Sequence, residues 1–392
     1  MKLLFVADGR SPTALNWMRY FAERGDEVFL ASTFACQPDL ALSAYEFLPV
    51  AFSSVKSAGQ APNQPARRKG ALWGASTLRL RTVIRQWLGP LTIPGSAARL
   101  RGMIQRFQPD LVHAMRIPYE GMLAAEAAGL APLLVSVWGN DFTLHAPSTP
   151  LMCHYTEWTL NVADGLHADC LRDIRLGKQW GFSTRKPTLV IPGSGGIRAD
   201  LFSPAGSPAA GSLVVNPRGF RAYVCNEAFF QAIPLVLKER PDARFACTGM
   251  MGEAQVLDWV EKLGIGHAVE LLPQRSQAEL ADLFRSAQVV VSPTTHDGTP
   301  NSLLEALACG CFPVAGDLDS IREWIIPGRN GLLVDATDPA ALAAAILRGL
   351  NEPALREQAA QLNTAIITER ADYARGMQRA LEFYQRLTNS TI

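Results

Sequence analysis

Apolar and polar positions fall into blocks of two lengths. Lys2–Asp8 (KLLFVAD) is a continuous apolar run, Ser11–Gly25 places its apolar residues at helical spacing and ends in glycine, and Asp26–Thr33 is apolar again. Pro109–Met115, Pro132–Gly139, Gly165–Asp169 and Thr188–Ser194 follow as short apolar runs, most of them separated by segments of helix length. Strand-length runs alternating with helices predict an α/β fold with a parallel, doubly wound sheet.

A second series of the same kind begins at Ser212–Pro217 (SLVVNP). It continues through Ala243–Gly249, Val269–Pro273, Gln288–Pro293, Cys311–Gly316 and Gly331–Thr337, with helical patterns over about 226–239 and 338–350 and others ending near Leu263, Ser286 and Ala308. Between the two series, the stretch from Asp200 to Ser212 turns to alanine, proline, glycine and serine, the composition of a linker. The chain has 392 residues, too many for one ordinary core. We therefore expect two Rossmann-like doubly wound domains facing across a cleft, over residues 1–205 and 206–370. Residues 371–392 form a helical tail able to cross back to the first domain.

Composition narrows the class. Apolar residues make up 48% and charged residues 19%, ordinary values for a soluble protein with large cores. Seven scattered cysteines, mostly inside apolar runs, read as plain thiols in a reducing compartment. The apolar run LLFVA before Asp8 is too short for a signal peptide, and no stretch approaches the roughly 20 apolar residues of a membrane span, so a cytoplasmic location is expected. Net charge is +1, but Phe47–Pro109 holds ten Lys or Arg and no acid, which leaves −9 for the remainder. With Trp73 and Trp87 interleaved, residues 47–109 fit two roles equally. One is docking on an anionic membrane, peripheral at its inner face, and the other is a solvated basic face. No nucleic-acid motif is present, and no nucleic-acid partner is expected.

The chemistry concentrates in His296–Gly310, HDGTPNSLLEALACG, which lies between two buried apolar runs. Thr299 is placed to cap a helix, with Pro300 at its first position and Gly310 at its end. That helix starts at the carboxyl edge of the sheet, where open α/β folds bind ligands. The N–H groups of Asn301, Ser302 and Leu303, with the helix dipole, would make an anion site suited to a diphosphate. Glu305 can accept hydrogen bonds from vicinal ribose hydroxyls, and Asp297 can bind sugar hydroxyls. The same pattern also fits an ordinary strand–turn–helix whose acids only cap. The loop at Gly9 and Arg10 is open to either binding or plain turn chemistry.

The Asp-x7-Glu spacing within HDGTPNSLLEALACGCFPV resembles the E-x7-E region of retaining GT-B glycosyltransferases of family 4, also called group 1. VIPGSGGIRADLFSP, LLPQRSQAELADLFRSAQVVVSP and PGRNGLLVDATDPAALAAAI resemble further segments of that family, in the same order. SVWGND (Ser136–Asp141) resembles an acceptor-domain motif that usually carries His where Trp138 stands. The resemblance implies an N-terminal acceptor domain and a C-terminal nucleotide-sugar domain. It implies retaining, metal-independent transfer of a sugar from a nucleotide diphosphate sugar to an acceptor hydroxyl, lipid-linked in the membrane-docked reading. No cofactor is implied beyond that donor.

By position, Asp297 would contact the donor sugar, Glu305 the ribose, and the Thr299–Leu303 loop the phosphates. Arg218 would bind the diphosphate, while Gly9, Trp138 and Asp141 would lie on the acceptor side. The family's Lys after that Arg is missing, since Tyr223 and Val224 stand there, and Arg221 is the substitute. A nucleotide-sugar epimerase or hydrolase of the same fold, or a catalytically silent sugar-nucleotide-binding protein, are the rival readings. Asp317 and Asp319 match the metal-binding DxD of a different fold but follow the wrong strand, and His113 reads as a packed core residue.

Overall fold

The computed structural model describes residues 1–53, 83–205 and 211–389. They form two compact units. One comprises residues up to Gly196 together with those from Ala374 onward, and the other runs from Ile197 to Tyr373. The expected linker core at 206–210 lies outside the described residues, as does much of the basic segment, Trp73 included.

The first unit is built on seven strands: β1 (Lys2–Ala7), β2 (Glu27–Ser32), β3 (Ala44–Phe47), β4 (Leu111–Ala114), β5 (Leu133–Val137), β6 (Gly165–Ala168) and β7 (Thr188–Val190). They lie in the order β3-β2-β1-β4-β5-β6-β7, and every pairing is parallel. β3 is the strand that the hydrophobic pattern does not announce. It sits at the sheet edge with no fully buried residue, so its AYEF sequence carries no apolar run. The second sheet holds β8 (Leu213–Asn216), β9 (Arg244–Cys247), β10 (Val269–Leu271), β11 (Val289–Ser292), β12 (Phe312–Gly316) and β13 (Leu332–Val334). Its order is β10-β9-β8-β11-β12-β13, again parallel throughout.

The helix Pro12–Glu23 shows why the patterns fold this way. The Ser11 hydroxyl accepts from the Ala14 N–H, and Ala14, Trp17, Met18 and Phe21 recur at helical spacing to form its buried face. The C-terminal helix Tyr373–Asn389 lays Met377, Ala380, Leu381, Tyr384 and Leu387 into the same unit, and Tyr384 stacks on Phe21 with ring centres 4.8 Å apart. All seven cysteines are free thiols. Among the described residues no helix is long and apolar enough to cross a membrane. In the described part of the basic segment, residues 83–88 are helical, and Ile84, Trp87, Leu88 and Leu91 are exposed.

Candidate active site

In the second sheet, connections run one way from β8 to β9 and β10 and the other way from β11 to β12 and β13. The loops after β8 and β11 therefore part at the carboxyl edge, the place where open α/β sheets bind ligands. Arg218 follows β8 and Asp297 follows β11, and their side chains form an ion pair. Arg218 Nη1 also donates to Ser302 Oγ at 3.1 Å, tying both loops to the helix Asn301–Ala308. The Arg218 backbone is fixed from below: its N–H donates to Asn216 Oδ1 at 3.0 Å, and Asn226 Nδ2 donates to the Gly219 carbonyl at 3.1 Å. Ser320 Oγ donates to the Asp297 carbonyl at 2.8 Å, which holds the acid's own loop.

Glu305 is buried one turn into that helix, and burial pushes its carboxyl up to about 7 against the opposing pull of Arg218. Three buried polar atoms around this point have no hydrogen-bond partner: Arg218 Nε, Ser292 Oγ and Thr294 Oγ1. Leaving such a group unsatisfied costs about 1–3 kcal/mol. Three of them at the ends of β8 and β11 leave donors and acceptors for a polar ligand to satisfy.

One expectation needs correction. Thr299 does not cap the helix. Pro300 does, with extended ψ of 117°, and the first helical residue is Asn301. The Thr299 hydroxyl is instead taken by the Trp324 indole N–H at 2.9 Å, and the Leu303 N–H already donates to the Pro300 carbonyl at 3.0 Å. Arg221 is exposed, and its guanidinium donates to the hydroxyl of Tyr223 at 2.9 Å.

The first sheet reverses between β1 and β4 and gathers a second polar cluster there. Asp141 is fully buried; its carboxylate accepts from Arg116 Nε at 2.8 Å and from the Trp138 N–H at 3.0 Å. The Trp138 ring lies against Gly193, where a Cβ would overlap it, so the glycine at the start of GSGG is required by packing. The Gly9 N–H donates to Ser32 Oγ at 3.0 Å, and a Cβ there would crowd Cys36 and Ser32. After β4, a single π-turn (Ile117–Gly121) holds Tyr119 at φ +68°, a conformation disfavoured for any residue with a side chain. Next to it, burial raises the carboxyl of Glu120 to about 8, and Thr33 Oγ1 donates to it at 3.4 Å. Arg116, Tyr119 and Glu120 escaped the sequence reading. The available signal was an acid inside an otherwise apolar stretch, RIPYEGMLAA.

Among the described residues, one group of metal-ligating types lies close together: Asp169, Cys170 and Asp173, all buried, with ligand atoms within 4.8 Å of one another. Arg172 ion-pairs with Asp173 at 2.7 Å, and burial pushes the Cys170 thiol far up, so a protonated thiol and a spent carboxylate fit a cation poorly. Asp317 is exposed and ion-paired with Arg322 at 2.6 Å.

Residues 8–193 match the family described as Glycosyl transferase 4-like domain, and residues 224–352 match Glycosyl transferases group 1. The chain belongs to the group 1, family 4-type glycosyltransferases. This glycosyltransferase chain is 28% identical over 217 residues to a D-inositol 3-phosphate glycosyltransferase of Thermobispora bispora, covering 50% of each. It is 26% identical over 271 residues to the enzyme of that name from Streptomyces avermitilis, covering 64% of this chain and 55% of the other. The match thus spans about half the length of these curated relatives. Its fold is that of solved GT-B structures. With sucrose-phosphate synthase from Thermosynechococcus elongatus the TM-score is 0.76 at 16% identity, over 100% of both chains. With Anabaena HepE in complex with UDP-glucose it is 0.72 at 16% identity, over 98% of this chain and 100% of that one.

Proposed function

We propose that this glycosyltransferase moves a sugar from a nucleoside diphosphate sugar to an acceptor hydroxyl, with retention at the anomeric carbon and without a divalent metal. The second unit holds the donor at the reversal between β8 and β11, and the first unit holds the acceptor. Arg218 binds the diphosphate and stabilises the charge that develops as it leaves, a role that acts on the transition state. Asp297 meets the sugar hydroxyls, Glu305 the ribose, and Ser302 with its helix terminus the phosphate oxygens. Arg221 supplies a second cation by turning from Tyr223.

The observation that carries this reading is the Arg218–Asp297–Ser302 cluster with three buried, unsatisfied polar atoms around it. The capture of UDP-glucose by Anabaena HepE, a protein of the same fold, supports the donor class. The experiment is an acceptor screen with UDP-glucose in EDTA, with product configuration read by proton NMR. Transfer with the donor's anomeric configuration, undiminished by chelator, is expected. An inverted product would remove retention. Activity lost in EDTA and restored by magnesium or manganese would return Asp317 and Asp319 to the reaction.

A further inference from the structure

We propose that Trp324, with Ser320, is a positioning residue for donor binding: the turn after β12 holds the loop from Asp297 to Ser302 in the geometry that Arg218 needs. This deepens the reading of that loop as the donor site and rests on it. The holding groups come from one short piece of chain. The N–H groups of Arg322 and Ile325 donate to the Leu318 and Ile321 carbonyls, each four residues back, at 2.9 Å. Residues 318–325 therefore coil, and Ser320 and Trp324, four apart, share a face. Both are buried, and both reach the same loop. Ser320 Oγ donates to the Asp297 carbonyl at 2.8 Å, and Trp324 Nε1 donates to Thr299 Oγ1 at 2.9 Å. At the end of β12, Gly316 lets the chain leaving β11 come close, since a Cβ there would lie 2.1 Å from the Thr294 carbonyl oxygen.

Asp297 and Ser302 are the two side chains that the Arg218 guanidinium bridges. Between them, the proline ring fixes φ of Pro300 at −66° and confines Thr299 before it to extended backbone, so the course of the loop depends on where Thr299 is held. Its buried hydroxyl is held by an indole N–H, a group that can only donate. Trp324 is itself fixed from two directions. The Arg370 guanidinium carbon lies 4.4 Å from its ring centre, and Arg370 Nη1 donates to the neighbouring Glu323 carbonyl at 2.6 Å. Asn330 Nδ2 donates to the Trp324 carbonyl at 2.9 Å, and Asn330 is bonded in both directions to Asn363 of the helix Pro353–Arg370, at 2.8 and 3.0 Å. A loop carrying both partners of the diphosphate-binding arginine is thus tied to a buried framework. A misplacement of about 1 Å in such a site can cost about a hundredfold.

The test is calorimetric titration of UDP into the full chain as wild type, Trp324→Phe, Thr299→Val, Thr299→Ser and the double variant Trp324→Phe/Thr299→Val, with circular dichroism to show that each is folded. Trp324→Phe keeps an aromatic ring under Arg370 and removes only the N–H that reaches the loop. Trp324→Phe and Thr299→Val should each weaken UDP binding by about tenfold or more. The double variant should bind no more weakly than the weaker single variant, because both changes remove one and the same hydrogen bond. Thr299→Ser, which keeps the hydroxyl, should bind nearly as wild type does. A contact that served only the fold would lower the melting temperature and leave UDP affinity unchanged, and that result overturns the inference. So do losses that add in the double variant, or a loss confined to Thr299→Val, which would make Thr299 itself a donor contact. Should Trp324→Phe fail to fold, Ser320→Ala takes its place: weakened UDP binding is expected there, and wild-type affinity overturns the inference. Failure of UDP to bind wild type would instead overturn the donor reading, and this inference with it.

Discussion

Glu305 shows how one buried side chain sets function against stability. Its folded-state value of about 7 lies above the ordinary 4.5, so the folded chain holds this proton more tightly than the unfolded chain does. The resulting stability is complete below 4.5 and is lost as pH rises through about 7, amounting to about 3 kcal/mol in all. Glu305→Gln should therefore raise the melting temperature at pH 8 and leave it nearly unchanged at pH 4. It should also weaken UDP binding at pH 8 by about tenfold, the cost of losing charged acceptors for the ribose. Thermal melts at the two pH values check the first outcome, and calorimetry checks the second. A variant no more stable than wild type at pH 8 would show that Glu305 is not strained there. The acid itself was legible from its spacing to Asp297. Its environment was not, because its burial is set by how the unit packs around that helix and not by spacing within the segment.

At the scale of elements, the C-terminal helix is joined to the first sheet by a directed hydrogen-bond chain. Trp17 Nε1 donates to Tyr384 Oη at 2.7 Å, and Tyr384 is 2.6 Å from His113 Nδ1. His113 Nε2 is 2.7 Å from Ser136 Oγ, Ser136 is 2.8 Å from His167 Nδ1, and His167 Nε2 reaches the Ile191 carbonyl at 3.1 Å. Burial keeps both imidazoles neutral, and the Ile191 carbonyl can only accept, so each proton points from Trp17 towards Ile191. Tyr384→Phe strands a donor and an acceptor at once and should cost about 1–3 kcal/mol for each buried group left unpaired.

Burial also sets the acid response of this chain, lowering His113 well below its usual value and His167 to about 4. The unfolded chain takes up these protons first. The stability they contribute is therefore whole above about 6.5 and is lost as pH falls towards 4. Denaturant melts of wild type and Tyr384→Phe across pH 4–8 check both statements. Because Glu305 gains stability over the same range, the deciding comparison is with His167→Gln: a variant that loses as much stability as wild type between pH 7 and 4.5 would contradict the neutral chain. The sequence marked this segment as a helical tail and His113 as a core residue. It could not show that they meet, since their partners lie 271 residues apart.

Across the whole molecule, the alternation of apolar runs and helices carried the fold because buried parallel strands need apolar residues on both faces. Edge strand β3 was missed for the complementary reason. Asp297, Ser302 and Glu305 were readable because one strand–loop–helix segment holds them in fixed register. Arg116, Tyr119 and Glu120 were not, because a π-turn with a left-handed residue follows no simple periodicity. The two sheets reverse in the same way, and each reversal sets an arginine beside a carboxylate, Arg116 with Asp141 and Arg218 with Asp297.

The central claim is that the second of these reversals holds a nucleoside diphosphate through Arg218. Calorimetric titration of UDP and UMP into wild type and Arg218→Ala tests it most directly. UDP should bind, UMP should bind at least tenfold more weakly, and Arg218→Ala should bring UDP down to the level of UMP. Equal affinity for UDP and UMP, or an Arg218→Ala chain that binds UDP as wild type does, would contradict the account.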